Sequence, residues 1–373
     1  MTEKRLSFSP NHDEAARQAF VGALKGYANI VVHKQLEAIY DGEIAPKFEA
    51  EHQRAPAARD DISDAVEGLP LYKYWGLLTY HSQDMLFDSV GSTVQRTKAK
   101  EEATARDLTT SSEKLGALHL DDAMTPSKPI TDIEIHRQPG GYIRAENDDD
   151  LDAARLYAGT IEIYRNAKAM GDGSKAGSDS IGLFTSDVFR KHYPNKQPRR
   201  ILDLGCGTGE QTIGFKRRFP EADVHGIDAS APFVRYAHAW AESEGEPITF
   251  HHMNAQETSF PDEHFDLIVS HILFHETSHK ILPQIMAEAH RLLAPGGVML
   301  NLDVPYQPEA TPLLKQVTNH WQVRHNGEPF WTGFIQTDLK EKLVQSGFDR
   351  EKVLYAYEGL GPTAAYLIFG GEK

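Results

Sequence analysis

A single cysteine, Cys206, stands in the 373 residues of the chain, which excludes an internal disulfide and a cysteine-rich zinc site. Any metal would depend on His, Asp and Glu. Long apolar runs are also missing: stretches such as Leu267-Ile268-Val269 fall far short of the roughly 20 residues a membrane-spanning helix needs. The opening MTEKRLSFSPNHDEAARQ has no apolar segment of the kind a secretory signal requires, so a cytoplasmic location without a membrane partner is expected. Basic residues are in deficit, 39 Lys and Arg against 54 Asp and Glu, and the formal net charge of −15 would repel nucleic-acid phosphates. Lys216-Arg217-Arg218 is too short a patch to overcome that field.

What is present is an ordinary globular composition, 40% hydrophobic and 25% charged, at a length suited to about two domains. From about Asp13 to Leu108, Ala, Leu, Glu, Gln and Lys recur at helical spacings, broken by Pro46, Pro56 and Gly68-Leu69-Pro70. Within this part LPLYKYWGLLTYHSQDMLF carries Tyr72, Trp75, Tyr80 and Phe87, read either as an ordinary packed helix pair or as a cap over an organic ligand. ITDIEIHRQPGGYIRAE reads as two short strands around Pro139-Gly140-Gly141, and Asp148-Asp149-Asp150 as carboxylates placed at the positive end of the helix LDAARLYAGTIEIYRNA. GDGSKAGSDSIG is either a flexible link or a loop near the active site. We therefore expect a mainly helical part over residues 1–150, capping a substrate or forming a homodimer, and a second domain over 151–373.

From Arg199 onward strands and helices alternate. ILDLG, DVHGID, ITFHHM, FDLIVSH, GGVMLNLDV, VLYAYEG and AAYLIFGG are strand-like, and helical segments intervene. This pattern predicts an α/β fold, a doubly wound and mostly parallel sheet covered by helices on both faces. The turn after the first of these strands is ILDLGCGTGEQT, where Gly205, Gly207 and Gly209 let a ligand approach the backbone. A dinucleotide fingerprint would require glycine at 210, where Glu210 instead opposes a pyrophosphate, so the loop favours a nucleoside without phosphates. Nineteen residues after Gly209, Asp228 ends the next strand, placed to accept from both ribose hydroxyls.

With these motifs in this order, Ile201 to about Asp303 resembles the core of a class I S-adenosylmethionine-dependent methyltransferase of the small-molecule type, similar to quinone-biosynthesis and type 11 methyltransferases. FPDEHFDLIVSH and RLLAPGGVML resemble the family's fourth-strand motif and its turn into the fifth strand. The resemblance implies a Rossmann-like, seven-stranded sheet and S-adenosyl-L-methionine as cofactor. It assigns cofactor contacts to Asp203, Gly205, Cys206, Gly207, Gly209, Asp228, Ala229, Asn254, Ala255, Gln256 and Ser270. Asn254 departs from the aspartate usual in the family, and can still accept from an adenine amino group through its amide oxygen. Cys206 reads as a small packed residue rather than a nucleophile.

Methyl transfer needs an acceptor lone pair aligned behind the methyl carbon, and a base only where the acceptor arrives protonated. The resemblance places the end of FDLIVSH beside the sulfonium, which makes His271 the first candidate for base or substrate contact and His275 the second. Phe274 and the aromatics Tyr306, Trp321 and Trp331 of the long segment after the fifth strand are candidate substrate contacts. The expected partner is a small organic acceptor, with O-methylation ahead of C-, N- or S-methylation, and a non-catalytic S-adenosylmethionine-binding protein is the alternative. A second alternative comes from His275-Glu276-Thr277-Ser278-His279, which matches the zinc pattern H-E-x-x-H. That match needs a helix starting at His275, whereas the residue follows a strand and no third ligand of the extended pattern comes after it. No metal is expected.

Overall fold

The computed structural model describes residues 6–126, 128–166, 180–359 and 365–373. Most of the Gly/Ser-rich piece GDGSKAGSDSIG lies outside the described residues. The core is a sheet of eight strands: β1 (Ala117–His119), β2 (Arg200–Leu204), β3 (Asp223–Asp228), β4 (Thr249–His252), β5 (Phe265–His271), β6 (Leu293–Asp303), β7 (Val353–Gly359) and β8 (Ala365–Glu372). Their order is β1-β4-β3-β2-β5-β6-β8-β7, parallel throughout except that β8 runs antiparallel to both β6 and β7. The strand order reverses between β3-β2 and β5-β6, which opens a crevice beyond the carboxyl ends of β2 and β5.

All seven expected strands are present. The eighth, β1, is three residues long and pairs with β4, with Ala117 opposite Thr249 and His119 opposite His251. Three residues are too few for a period-two pattern to stand out. The two strands expected around Pro139-Gly140-Gly141 do not form. A short helical turn at Ile135–Arg137 and successive turns take their place, with His136 and Arg137 at φ 54° and 60° and both glycines at positive φ. A backbone in that left-handed region cannot enter a ladder.

Both sheet faces are buried, which is why the strands read as continuous apolar runs. On one face Ile201, Val224, Phe250 and Val269 pack under the helices Ser180–His192, Glu210–Arg218 and Ala231–Glu244. On the other, Leu202, Ile268, Met299 and Phe369 pack under Leu282–Leu292 and Leu339–Gln345. The N-terminal part is helical, as expected. A continuous helical rod spans residues 12–52, so the break expected at Pro46 does not occur: Pro46 sits in the first turn of Ala45–His52, directly after the π-helical turn Tyr40–Ile44, and a forty-residue helix, Pro70–Thr109, lies against the rod and against Asp152–Asn166. Tyr72 and Trp75 are buried, and Trp75 meets Trp321 edge-on at 5.2 Å. Of the two readings of that aromatic segment, the packed helix describes where these rings sit. Among the described residues no helix is long and apolar enough to cross a membrane.

Candidate active site

The crevice at the strand-order reversal holds a pocket floored by Gly205, Gly207, Asp228 and Ala229, flanked by Asn254, Ala255 and Gln256, and closed by His271, Ile272 and Glu276. The loop between β2 and its helix turns through Gly205, Gly207 and Gly209, with φ of 62°, 54° and 89°. Glycine adopts that conformation without Cβ strain. The three glycines have different neighbours. Gly205 and Gly207 face the pocket, whereas a Cβ on Gly209 would stand 3.1 Å from Ala237 Cβ, so this residue lets the helix Ala231–Glu244 approach the loop.

Asp228 ties the loop to the end of β3. Its Oδ2 accepts from Gly207 N at 3.0 Å and its Oδ1 from Ser230 N at 2.8 Å. Each oxygen keeps lone-pair capacity for a further donor. Burial, reinforced by the negative charge of Glu276, pushes its carboxyl up to about 6 against the backbone donors of Ser230, Gly207 and Ala229 that hold it down. Asn254 Oδ1 accepts from Gln256 N at 3.0 Å, an Asx turn that shapes the segment after β4.

Three residues assigned to the cofactor by the resemblance lie behind this wall. Asp203 is buried beneath the loop, accepting from Gln211 Nε2 at 2.8 Å and Thr212 Oγ1 at 2.7 Å, and so fixes the start of the helix Glu210–Arg218. Cys206 is buried among core side chains, and burial raises its thiol well above the usual range. Ser270 is fully buried and donates to Asn301 Oδ1 at 2.8 Å.

The two candidate bases differ in kind. His271, at the end of β5, lines the pocket, and its Nε2 is buried with no hydrogen-bond partner. Burial lowers it to about 4, with Asp303 acting in the opposite direction, so it is a neutral imidazole at physiological pH. His275 is 2% exposed and gives its Nδ1 to Asp303 Oδ1 at 2.6 Å. That carboxylate outweighs the burial penalty and raises His275 to about 9, so it carries a proton near neutral pH. Asp303 is positioned for this by the register of β5 and β6 and also accepts from Phe274 N and Val304 N. Next to His271, Ile272 sits at φ 58°, rare for a β-branched residue, and donates its N–H to Leu302 O.

The zinc pattern does not form its helix. Phe274–Glu276 is a single 3-10 turn and Thr277 is extended, at φ −118° and ψ 138°. His279 is consequently not one helical turn from His275, and it packs against Gly333 instead. Among the expected substrate residues, Phe274 is buried against Phe369, Trp321 against Trp75, and Trp331 between Tyr306 and His275. The structure brings none of these four into the pocket wall; Phe330 from the same long segment does reach it. The main aromatic wall is Tyr142, Tyr157 and Phe233, with ring centroids 5.4 to 5.8 Å apart. Tyr142 and Tyr157 precede the recognisable core, and no spacing in the sequence links them to it. Ser230, whose hydroxyl donates to Tyr142 O at 2.6 Å, is the contact that brings Tyr142 there.

Residues 201–297 match the family model described as a methyltransferase domain. Over 114 residues the chain is 36% identical to the demethylmenaquinone methyltransferase of Thermus thermophilus, covering 31% of this chain and 51% of that protein. It is 31% identical over 151 residues to the malonyl-[acyl-carrier protein] O-methyltransferase of Halorhodospira halophila, covering 40% and 48%. The chain thus spans about half the length of these curated relatives. The solved structure of a Haemonchus contortus phosphoethanolamine N-methyltransferase in complex with S-adenosylhomocysteine aligns over 51% of this chain and 52% of that one, at 15% identity and a TM-score of 0.40. Residues 201–297 are thus similar to a methyltransferase domain, and they supply β2 to β5 and the start of β6 on either side of the strand-order reversal. What the chain carries beyond that domain, residues 1–150 above all, falls outside the matched segment.

Proposed function

We propose that the protein transfers a methyl group from S-adenosylmethionine to a small organic acceptor, with an oxygen as the favoured methyl-accepting atom. The observation that carries this reading is one pocket in which the glycine loop, Asp228, the Asn254–Gln256 segment and His271 meet. The residues fit the cofactor: Gly205 and Gly207 present backbone without side chains, and Asp228 offers a carboxylate at the ribose position of the fold. When bound, S-adenosylmethionine supplies a methyl group on a sulfonium, already activated towards attack. The chain's part is alignment and exclusion of water, effects that can be worth on the order of 7–11 kcal/mol when the geometry is held tightly.

His271 is the residue we propose for the acceptor. Its unpartnered Nε2 can take a hydrogen bond from an acceptor hydroxyl. Because burial makes it a weak base, it does not deprotonate a phenol or alcohol beforehand. It receives the proton as the oxygen becomes bonded to the methyl carbon and turns acidic. The Halorhodospira relative is named an O-methyltransferase, which supports an oxygen acceptor without identifying it. For residues 1–150 we propose capping rather than dimerisation, since Ile130, Ile135 and Tyr142 help to line the pocket. The test is turnover to S-adenosylhomocysteine with a panel of phenols, alcohols and carboxylic acids. His271→Ala should lower kcat by about 10²- to 10⁴-fold while cofactor affinity, read by calorimetry, stays within about threefold. Equal rates for wild type and variant would remove His271 from the reaction.

A further inference from the structure

His136 and His275 lie 139 positions apart yet are built alike. Each gives its Nδ1 to a buried carboxylate: His136 to Glu328 Oε1 at 2.8 Å, and His275 to Asp303 Oδ1 at 2.6 Å. Glu328 and Asp303 are 4% and 0% exposed. A carboxylate on one ring nitrogen fixes the ring plane and tautomer and leaves the other nitrogen to act as a ligand, the arrangement that metal-binding histidines show. The second nitrogen of His136 lies 2.9 Å from Glu276 Oε1, and ligand atoms of His136, His275 and Glu276 all fall within 4.8 Å of one another. Two imidazoles and one carboxylate form a donor set used for zinc, manganese and iron.

Two further observations point the same way. Glu328 Oε2 is buried with no hydrogen-bond partner, so this carboxylate keeps an acceptor position unfilled. The backbone at His136 and Arg137 is held in the left-handed region, anchored by His136 N donating to Gly327 O at 2.9 Å. Gly327 is itself at φ 70°, and a Cβ there would lie 2.7 Å from Arg137 N, so the strained turn is built to bring His136 to Glu276. Three carboxylates converge on two imidazoles. Their demand for positive charge is met either by protons on both rings or by a divalent cation.

We propose that His136, His275 and Glu276 bind a divalent first-row transition cation, with Glu328 and Asp303 as positioning residues. Three protein ligands leave coordination open on the side where Glu276 lines the pocket, so a hydroxyl or carboxylate of the acceptor can complete the shell. That last role rests on the methyl-transfer reading, whereas cation binding does not. His279 has no part in the site, although the zinc pattern in the sequence includes it.

The experiment is titration of chelator-treated full-length protein with Zn²⁺ and, separately, Co²⁺, followed by elemental analysis after gel filtration. One equivalent of either metal is expected, with visible absorption from the Co²⁺ form. His136→Gln and Glu276→Gln should each weaken Zn²⁺ binding at least about tenfold. His279→Ala should leave it unchanged. Circular dichroism checks that each variant is folded, and should His136→Gln fail that check, the wild-type stoichiometry and Co²⁺ spectrum decide. Retention of much less than one equivalent, or equal retention in all the folded variants, overturns the proposal. So does loss in His279→Ala with binding kept in His136→Gln. Failure here with S-adenosylmethionine still bound and turned over would leave the methyl-transfer reading standing.

Discussion

Asp228 meets the pocket with both of its oxygens already accepting backbone N–H groups, and burial holds its carboxyl up near 6. A raised carboxyl has a direct consequence for pH. In the proposed ribose role, the ionised form would accept a charge-assisted bond from a hydroxyl, and the protonated form would not. Cofactor affinity is therefore expected to be level above about pH 7 and to fall as pH drops through 6, whereas Asp228→Asn should be weaker throughout and nearly flat between pH 5 and 8. Calorimetric titration across that range measures it, and parallel profiles for the two proteins would contradict the assignment. At this scale the glycines and Asp228 are legible in the sequence because local order alone defines them: strand, tight turn, helix, strand, acid. His271 is legible for the same reason, as the last residue of an apolar strand. The state of His275 is not, since it depends on Asp303 reaching it across the β5–β6 register. His136 is further still from sequence reasoning, because its role rests on a turn where a glycine-rich hairpin was expected.

At the scale of elements, the alternation of strand and helix after Arg199 specifies every long strand and the four helices expected with them, whereas Leu313–His325 and Trp331–Ile335 form inside what reads as a long connection. The N-terminal helices follow their periodicity equally well. What periodicity does not reveal is which polar residues those helices bury against one another. Lys25, on the helix His12–Gly26, donates to Gln83 Oε1 on the forty-residue helix at 2.6 Å and lies 5.3 Å from the ring centre of Tyr164 on Asp152–Asn166. Burial at this three-helix junction, assisted by the positive charge of Arg137, lowers its ammonium to about 7. The unfolded chain holds that proton up to about pH 10.4. Between these values the unfolded state binds the extra proton, so the Lys25 contribution to stability rises with pH from about 7 to about 10, by up to about 4–5 kcal/mol. His275 acts oppositely, its contribution being present below pH 6.5 and lost as pH rises through about 9. Comparing wild type with Lys25→Met isolates the lysine: the stability difference between them should shift in favour of wild type as pH rises from 7 to 10. Denaturant melts at several pH values read this, and a pH-independent difference would show that Lys25 stays charged in the fold.

For the molecule as a whole, the pocket is assembled from a segment before Arg199 and from the sheet region after it. The segment similar to a methyltransferase domain supplies the glycine loop, Asp228 and His271, and Ile130, Ile135 and Tyr142 come from the part that precedes it. β1 makes the same join at the sheet edge, where Leu115 and Gly116 also give their N–H groups to Glu242. The glycine loop and Asp228 are therefore legible in the sequence, while the wall of Ile130, Ile135 and Tyr142 depends on long-range packing that no spacing announces. The central claim is that this pocket binds S-adenosylmethionine through Asp228. Its most direct test is calorimetric titration of the full-length protein and of Asp228→Ala with S-adenosylmethionine at pH 8. A single site is expected in wild type, with affinity reduced in the variant by about 1.5–3 kcal/mol, roughly ten- to a hundredfold. Equal affinities in the two proteins, or no binding to wild type, would contradict it.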